Sequence, residues 1–263
     1  MRSKINLISI FCAPKSGSTL LEVLLSSHKL ITSIGERRFE FKKCNCEKSL
    51  YDCNFWKKII SKLPNKNAFE ILADNKDDIK SNREVFEGML NYSNSNFILE
   101  SSKSSKFIDK CIKNDQSFNL NLVTLVRDPI DLVQIQKKKR IINNYKKGST
   151  IVKTSIFVFF YYLKQLRYLK KTLHIIYYNE FIKDPISELN NIYKKLNLDP
   201  ISNLKVNNYD IHSLGGSFAK TRNYNILRRE NLNYLTGLEK LIARILNLPS
   251  KLIMKYILYK KNA

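Results

Sequence analysis

Four short apolar runs, at residues 5–11, 97–99, 120–126 and 174–178, each give way to a turn and then to a helical pattern, at 18–27, 104–113, 129–145 and 185–196. Runs this short and this rich in β-formers fit strands buried on both faces, and strand-then-helix repeated in that order confines a chain to a parallel sheet wrapped by helices. The expected fold class is therefore α/β, with a central parallel sheet. In such sheets ligands bind beyond the carboxyl ends of the strands, so the residues just after each run are the ones to read for chemistry. No internal repeat, low-complexity segment or linker interrupts the 263 residues, which are read as one domain.

Charge is the next constraint. Lys and Arg number 46 against 23 Asp and Glu, a formal net charge of +23. Such a balance invites nucleic acid or an anionic membrane as partner. The lysines are scattered along a chain rich in Lys, Asn and Ile, so nucleic acid is disfavoured and a small anionic ligand is favoured. The longest apolar stretch, residues 156–163, is too short for the roughly 20 residues of a bilayer span and runs into Lys164 and Arg167. The first 13 residues superficially resemble a signal peptide, but cleavage there would destroy the motif that follows, so residues 5–11 are read as the first core strand. Five cysteines, an odd number with Cys44, Cys46 and Cys53 close together, fit a reducing compartment, and a cytoplasmic location is expected.

The turn after the first strand packs Lys15, Ser16, Gly17, Ser18 and Thr19 against the start of a helix. Backbone N–H groups at a helix N-terminus bind phosphate, glycine permits close approach, and the hydroxyls add donors. The segment is an anion cradle, but it is not the nucleotide-triphosphatase loop. That pattern needs Gly where Cys12 stands and Lys directly after Gly17. The segment from Pro14 through Leu21 instead resembles the 5′-phosphosulfate loop of sulfotransferases that use 3′-phosphoadenosine 5′-phosphosulfate (PAPS). The resemblance implies that Lys15 and the amides and hydroxyls of Ser16 to Thr19 hold the 5′-phosphate and the bridging oxygen.

Further segments resemble the same family, closest to its bacterial members, in family order from residue 5 to about 230. Arg127, ending a strand before Asp128 and Pro129, is similar to the arginine that binds the 3′-phosphate; Ile135 stands where a serine is usual, which would either shift that contact to Gln136 or Lys139 or weaken nucleotide binding. Glu36, after Gly35, resembles the catalytic glutamate of tyrosylprotein and many bacterial sulfotransferases, the general base for an acceptor hydroxyl. Lys103, in Glu100-Ser101-Ser102-Lys103, resembles a segment whose lysine stabilises charge on the leaving oxygen. Tyr178 matches a tyrosine whose phenol commonly faces the nucleotide. The stretch from His212 to Arg222 resembles a loop that closes over the nucleotide, with Ser217, Lys220 and Arg222 as phosphate donors.

Cys44, Cys46 and Cys53 precede Phe55 and Trp56 in a segment similar to an insert of several bacterial sulfotransferases. Three cysteines offer zinc ligands, but a closed site needs a fourth and none of that type lies nearby, His28 being the nearest histidine. The expectation is a small packed unit anchored by Phe55 and Trp56, within an acceptor-side insert at about 37–96, and no metal. Residues from about 238 to 263 read as two amphipathic helical pieces broken at Pro249, packed on the domain or resting on an anionic membrane surface or a partner. The resemblance as a whole implies a PAPS-dependent sulfotransferase with a P-loop-like fold, acting on a hydroxyl of a saccharide, lipid headgroup or tyrosine, with a saccharide or lipid-linked glycan favoured. Two alternatives stay open from the residues: a nucleotide-dependent kinase on a related sheet, and a basic, non-catalytic binding module.

Overall fold

The computed structural model describes residues 3–37, 43–65, 67–114, 116–142, 150–204, 212–214 and 232–262. A five-stranded sheet runs in the order β2-β3-β1-β4-β5, formed by β1 (Ile5–Phe11), β2 (Ile31–Gly35), β3 (Phe97–Glu100), β4 (Phe118–Val126) and β5 (Thr172–Tyr177). Every neighbouring pair is parallel. The expected α/β architecture is the one observed. From β1 the chain crosses to β2, two places away, and β3 fills the slot between them before β4 begins on the far side of β1. The connections after β1 and β4 therefore run in opposite directions, and the crevice at the carboxyl ends of these two adjacent strands is where such a sheet accepts a ligand.

Strand β2 was not among the four expected. Thr32 and Ser33 interrupt its apolar sequence, and their hydroxyls are used internally: Thr32 donates to Ser93 Oγ at 2.7 Å, and Ser33 to Glu22 Oε1 at 2.7 Å. A strand at the sheet edge that satisfies its own polar side chains reads as loop in a single sequence. Strand β5 ends at Tyr177, so Tyr178 opens a short helix, α8 (Tyr178–Phe181), rather than closing the strand.

Side chains alternate along β1. Leu7 joins one cluster with Trp56, Phe86, Met89 and Phe107, whereas Ile8 and Ile10 join another with Leu21, Leu24, Leu189 and Tyr193. The first face is covered by α2 (Asn54–Lys62), α3 (Ala68–Asp74), α4 (Ile79–Ser93) and α5 (Ser105–Lys113). The second is covered by α1 (Ser18–Leu25), α8 and α9 (Pro185–Lys195). Helix α6 (Pro129–Ile142) follows β4, and α7 (Thr150–Tyr168) contains the apolar stretch noted above. Among the described residues no helix is long and apolar enough to cross a membrane. The expected C-terminal pair is α10 (Gly237–Leu246), opened by a Thr236–Glu239 capping box, and α11 (Leu248–Asn262), with Pro249 in its first turn. Met254 and Ile257 pack with Val158 and Tyr162 of α7. Lys261 fastens the end of α11 to Glu180 and Glu188, each at 2.8 Å.

Candidate functional site

The loop between β1 and α1 turns on two left-handed residues, Lys15 at φ 73° and Gly17 at φ 101°. Gly17 is the N-cap of α1. A Cβ there would meet Tyr178 Cε2 at 2.5 Å, so the position tolerates only glycine for steric as well as conformational reasons. Gly17 at the N-cap offers no side-chain cap and the first turn of α1 carries no acidic residue, so that among the described residues the positive end of the helix is directed out of the sheet edge. Ser16 and Ser18 are buried within the turn. The segment read from the sequence thus lies in a tight turn between the end of β1 and the start of α1.

Arg127, directly after β4, lies across the crevice from this loop. Its guanidinium donates from Nη1 to Lys15 O at 3.3 Å and sits 4.0 Å from the centroid of the Tyr178 ring. The residue is buried, and its Nε has no acceptor among the described residues. Tyr162 of α7 donates to the Arg127 carbonyl and so secures the backbone that aims the side chain. Lys15, Gly17, Arg127 and Tyr178, drawn from three strand ends, form one constellation. The Tyr178 ring is the floor that joins its two halves.

Glu36 and Lys103 meet at the neighbouring strand ends. Glu36 follows β2, with its amide donating to Leu214 O at 2.8 Å, and its Oε1 accepts from Lys103 Nζ at 2.8 Å. Lys103 follows β3 in a left-handed conformation at φ 59° and also donates to Ser101 O at 3.0 Å. Burial alone would lower the Lys103 ammonium, but Cys12, Glu36 and Glu22 more than offset it and hold the group above its ordinary range. The cation therefore stays charged at neutral pH.

Arg37, which the sequence reading did not single out, is the residue that holds this arrangement. Its side chain is wholly buried. Nε donates to Glu100 Oε2 at 3.2 Å, Nη2 to Ser102 Oγ at 2.8 Å and Nη1 to Asn82 Oδ1 at 3.2 Å, with a further bond to Lys76 O. Its guanidinium carbon lies 3.8 Å from the centroid of Phe107. Glu100 also accepts from Ser9 and Ser102. Glu22 is a second buried carboxyl beneath the site, bonded by Ser33 and Ser101. Burial is the largest influence on it and raises its pKa. A lone acid in the apolar run from Leu20 to Leu25 was the available signal.

Ile135 is half-buried on α6; Gln134 is buried with its Oε1 accepting from Tyr234 N at 3.2 Å, Gln136 is half-buried, and the Lys139 side chain lies outside the described set. Ser217, Lys220 and Arg222 also lie outside the described residues. His212 does not join the constellation of Lys15, Gly17, Arg127 and Tyr178: its Nδ1 lies against Cys44 and Cys53.

Truncating Arg37 would strand Glu100 as an uncompensated buried charge. Arg37→Ala is expected to lower unfolding free energy by about 3–5 kcal/mol, the range for breaking a buried pair. Adding Glu100→Gln should recover part of that loss. Urea denaturation of the single and double variants checks both statements; a cost below about 1 kcal/mol would show the pair to be dispensable.

No family model matches the chain, and no curated protein matches it. Solved structures do. The sulfotransferase domain from the curacin biosynthetic pathway is 17% identical over 83% of this chain and 83% of that one, with a TM-score of 0.55. The sulfotransferase domain of the Synechococcus PCC 7002 olefin synthase is 15% identical over 98% of this chain and 96% of that one, also with a TM-score of 0.55. A sulfotransferase from Alicyclobacillus acidocaldarius is 13% identical over the same shares, with a TM-score of 0.53. At these identities the likeness concerns the backbone, and the chain has the fold of sulfotransferase domains.

Proposed function

We propose that the protein is a PAPS-dependent sulfotransferase. The observation that carries the reading is the buried Arg127 guanidinium, with its unaccepted Nε, facing an uncapped α1 across the crevice between β1 and β4. One end of that constellation suits a 5′-phosphosulfate and the other a 3′-phosphate. The residues fit the nucleotide: Gly17 admits close backbone approach, and Tyr178 lies between the two charged groups. The nucleotide supplies the sulfuryl group. The Glu36 carboxylate accepts the proton of the acceptor hydroxyl, whose oxygen bonds to sulfur as the bond from sulfur to the 5′-phosphate oxygen breaks. That oxygen keeps the electron pair, and Lys15 and Lys103 neutralise it. Ser217, Lys220 and Arg222 complete a loop that excludes water. The whole chain acts as one domain, with residues 37–96 on the acceptor side.

Isothermal titration with 3′-phosphoadenosine 5′-phosphate, compared with ATP and magnesium, tests the nucleotide half. Lys15→Ala and Arg127→Ala should each weaken binding of the 3′-phosphorylated nucleotide by about 1.5–3 kcal/mol, the range for bonds to charged groups. Unchanged affinity in both variants, or tighter binding of ATP, would overturn it. The base is tested separately. Glu36→Gln keeps shape and hydrogen bonding, so affinity should hold while single-turnover sulfuryl transfer falls by about 10² to 10⁴. Transfer at the wild-type rate would remove Glu36 from that role.

A saccharide or lipid-linked glycan is the acceptor class we favour, with a cytoplasmic enzyme working at a membrane surface. The outer faces of α7, α10 and α11 support this reading: Phe160 is 56% exposed, Leu238 69%, Ile245 64% and Leu252 61%, on helices that also carry lysines in a chain of net charge +23. Vesicles containing phosphatidylglycerol should co-sediment with the protein and lose it at high salt. Phosphatidylcholine vesicles should retain little. Equal recovery in both would argue against an anionic surface as partner.

A further inference from the structure

The three cysteines near the start of α2 do have a fourth companion, and it comes from the opposite end of the chain. His212 Nδ1 lies 3.6 Å from Cys44 Sγ and 3.3 Å from Cys53 Sγ. With Cys46, the four candidate ligand atoms all lie within 4.8 Å of one another. A tetrahedral zinc ion with bonds of about 2.3 Å to sulfur and about 2.0–2.1 Å to nitrogen sets sulfur–nitrogen edges of about 3.5 Å and sulfur–sulfur edges of about 3.8 Å. The spacing matches one ion. It is too tight for an iron–sulfur cluster, whose ligands stand around a multi-iron core.

The scaffold holds these atoms together by contacts of its own. Glu47 N donates to Cys44 O at 3.0 Å and Cys44 N to Lys48 O at 3.0 Å, with Glu47 left-handed at φ 69°, which folds Cys44 and Cys46 into one tight turn. Cys53 is the residue that leads into α2. On the other side, the Phe55 ring stacks on the His212 imidazole at 4.9 Å and 9°, and Trp56 Nε1 donates to His212 O at 2.8 Å. Asn45 bonds Ser213 twice, from N to O at 3.0 Å and from Nδ2 to Oγ at 2.6 Å. The ring is thereby fixed with Nδ1 toward the sulfurs. Cys44 and Cys53 are buried, so the cluster is shielded from solvent thiols.

We propose that Cys44, Cys46, Cys53 and His212 bind one zinc ion through three thiolates and the His212 Nδ1. Four protein ligands leave no open position, which makes the site structural rather than catalytic. Binding releases the three thiol protons and changes no oxidation state. The ion clamps the turn at 43–49 and the start of α2 to residues 212–214. Leu214 in turn bonds the backbone of Ile34 and Glu36, by N to Ile34 O at 2.7 Å and by O from Glu36 N at 2.8 Å. The site therefore braces the carboxyl end of β2 whatever reaction occurs there.

The test uses the full chain, purified under reducing conditions without chelator. Elemental analysis should find about one zinc per chain. After chelation, added cobalt(II) should give the visible bands of a tetrahedral ion and a near-ultraviolet thiolate charge-transfer band, both saturating at one equivalent and abolished by zinc. The pair Cys46→Ser with Cys53→Ser should lose stoichiometric zinc, while Cys111→Ser, a buried cysteine elsewhere, keeps it. Should the double variant fail to fold, His212→Cys serves instead: it converts the site to four thiolates, and should keep zinc and strengthen the cobalt charge-transfer band. Folded protein that holds no zinc and gives no charge-transfer band overturns the proposal. So does a Cys44–Cys53 disulfide in freshly reduced, purified protein, or a His212→Cys spectrum identical to wild type.

Discussion

A guanidinium buried without solvent is the constraint on which the sheet edge bearing Glu36 and Lys103 depends. Arg37 leaves the end of β2 in a left-handed conformation and threads between β3, the start of α4 and α5, where Glu100, Asn82, Ser102 and the Phe107 ring receive it. Taking such a charge out of water costs several kcal/mol unless each donor is met, so the pocket works only when complete. Because Arg37 and Ser102 are fixed to each other, Glu36 and Lys103, their immediate chain neighbours, are brought face to face at 2.8 Å. The Glu36–Lys103 ion pair is thus positioned by the pair Arg37 and Ser102.

The same economy governs charge at the sheet edge. The buried acids there, Glu22 and Glu100, are turned inward and engaged by serine hydroxyls or by Arg37. Asp128 is occupied by Ile130 N at 2.8 Å. What faces outward is the uncapped end of α1, Lys15 and the partly unengaged Arg127. The crevice is electropositive because its carboxylates are spent on structure, which matters more for an anionic ligand than the net charge of the chain.

Legibility in the sequence followed locality. Strand β1 and the loop after it could be read because apolar run, glycine and helix start are contiguous, and Arg127, Asp128 and Pro129 carried the same kind of local signal. Strand β2 escaped because its hydroxyls are satisfied by Ser93 and Glu22, which nothing in residues 31–35 announces. Arg37 went unremarked because its partners lie 39 to 65 positions away. His212 was assigned to a nucleotide-closing loop, whereas packing against Phe55 and Trp56 draws it to the cysteines. Helix α7 was seen only as an apolar stretch too short to span a bilayer; Val158 and Tyr162 pack against α11, whereas Ile156, Phe157, Phe160 and Leu163 are exposed.

The short stretch from His212 to Leu214 has a consequence for how the molecule is made. It lies 168 positions beyond Cys44 yet supplies backbone partners to Ile34, Glu36 and Asn45. Closing so long a loop carries an entropic cost that local contacts do not, and contacts of this reach slow a folding reaction. On the ribosome the sheet core can begin to assemble once β4 has emerged, but the edge bearing Glu36 stays without its bracing until most of the C-terminal third has been translated. The order of synthesis thus leaves the rim bearing Glu36 to be braced only after the rest of the sheet has been made.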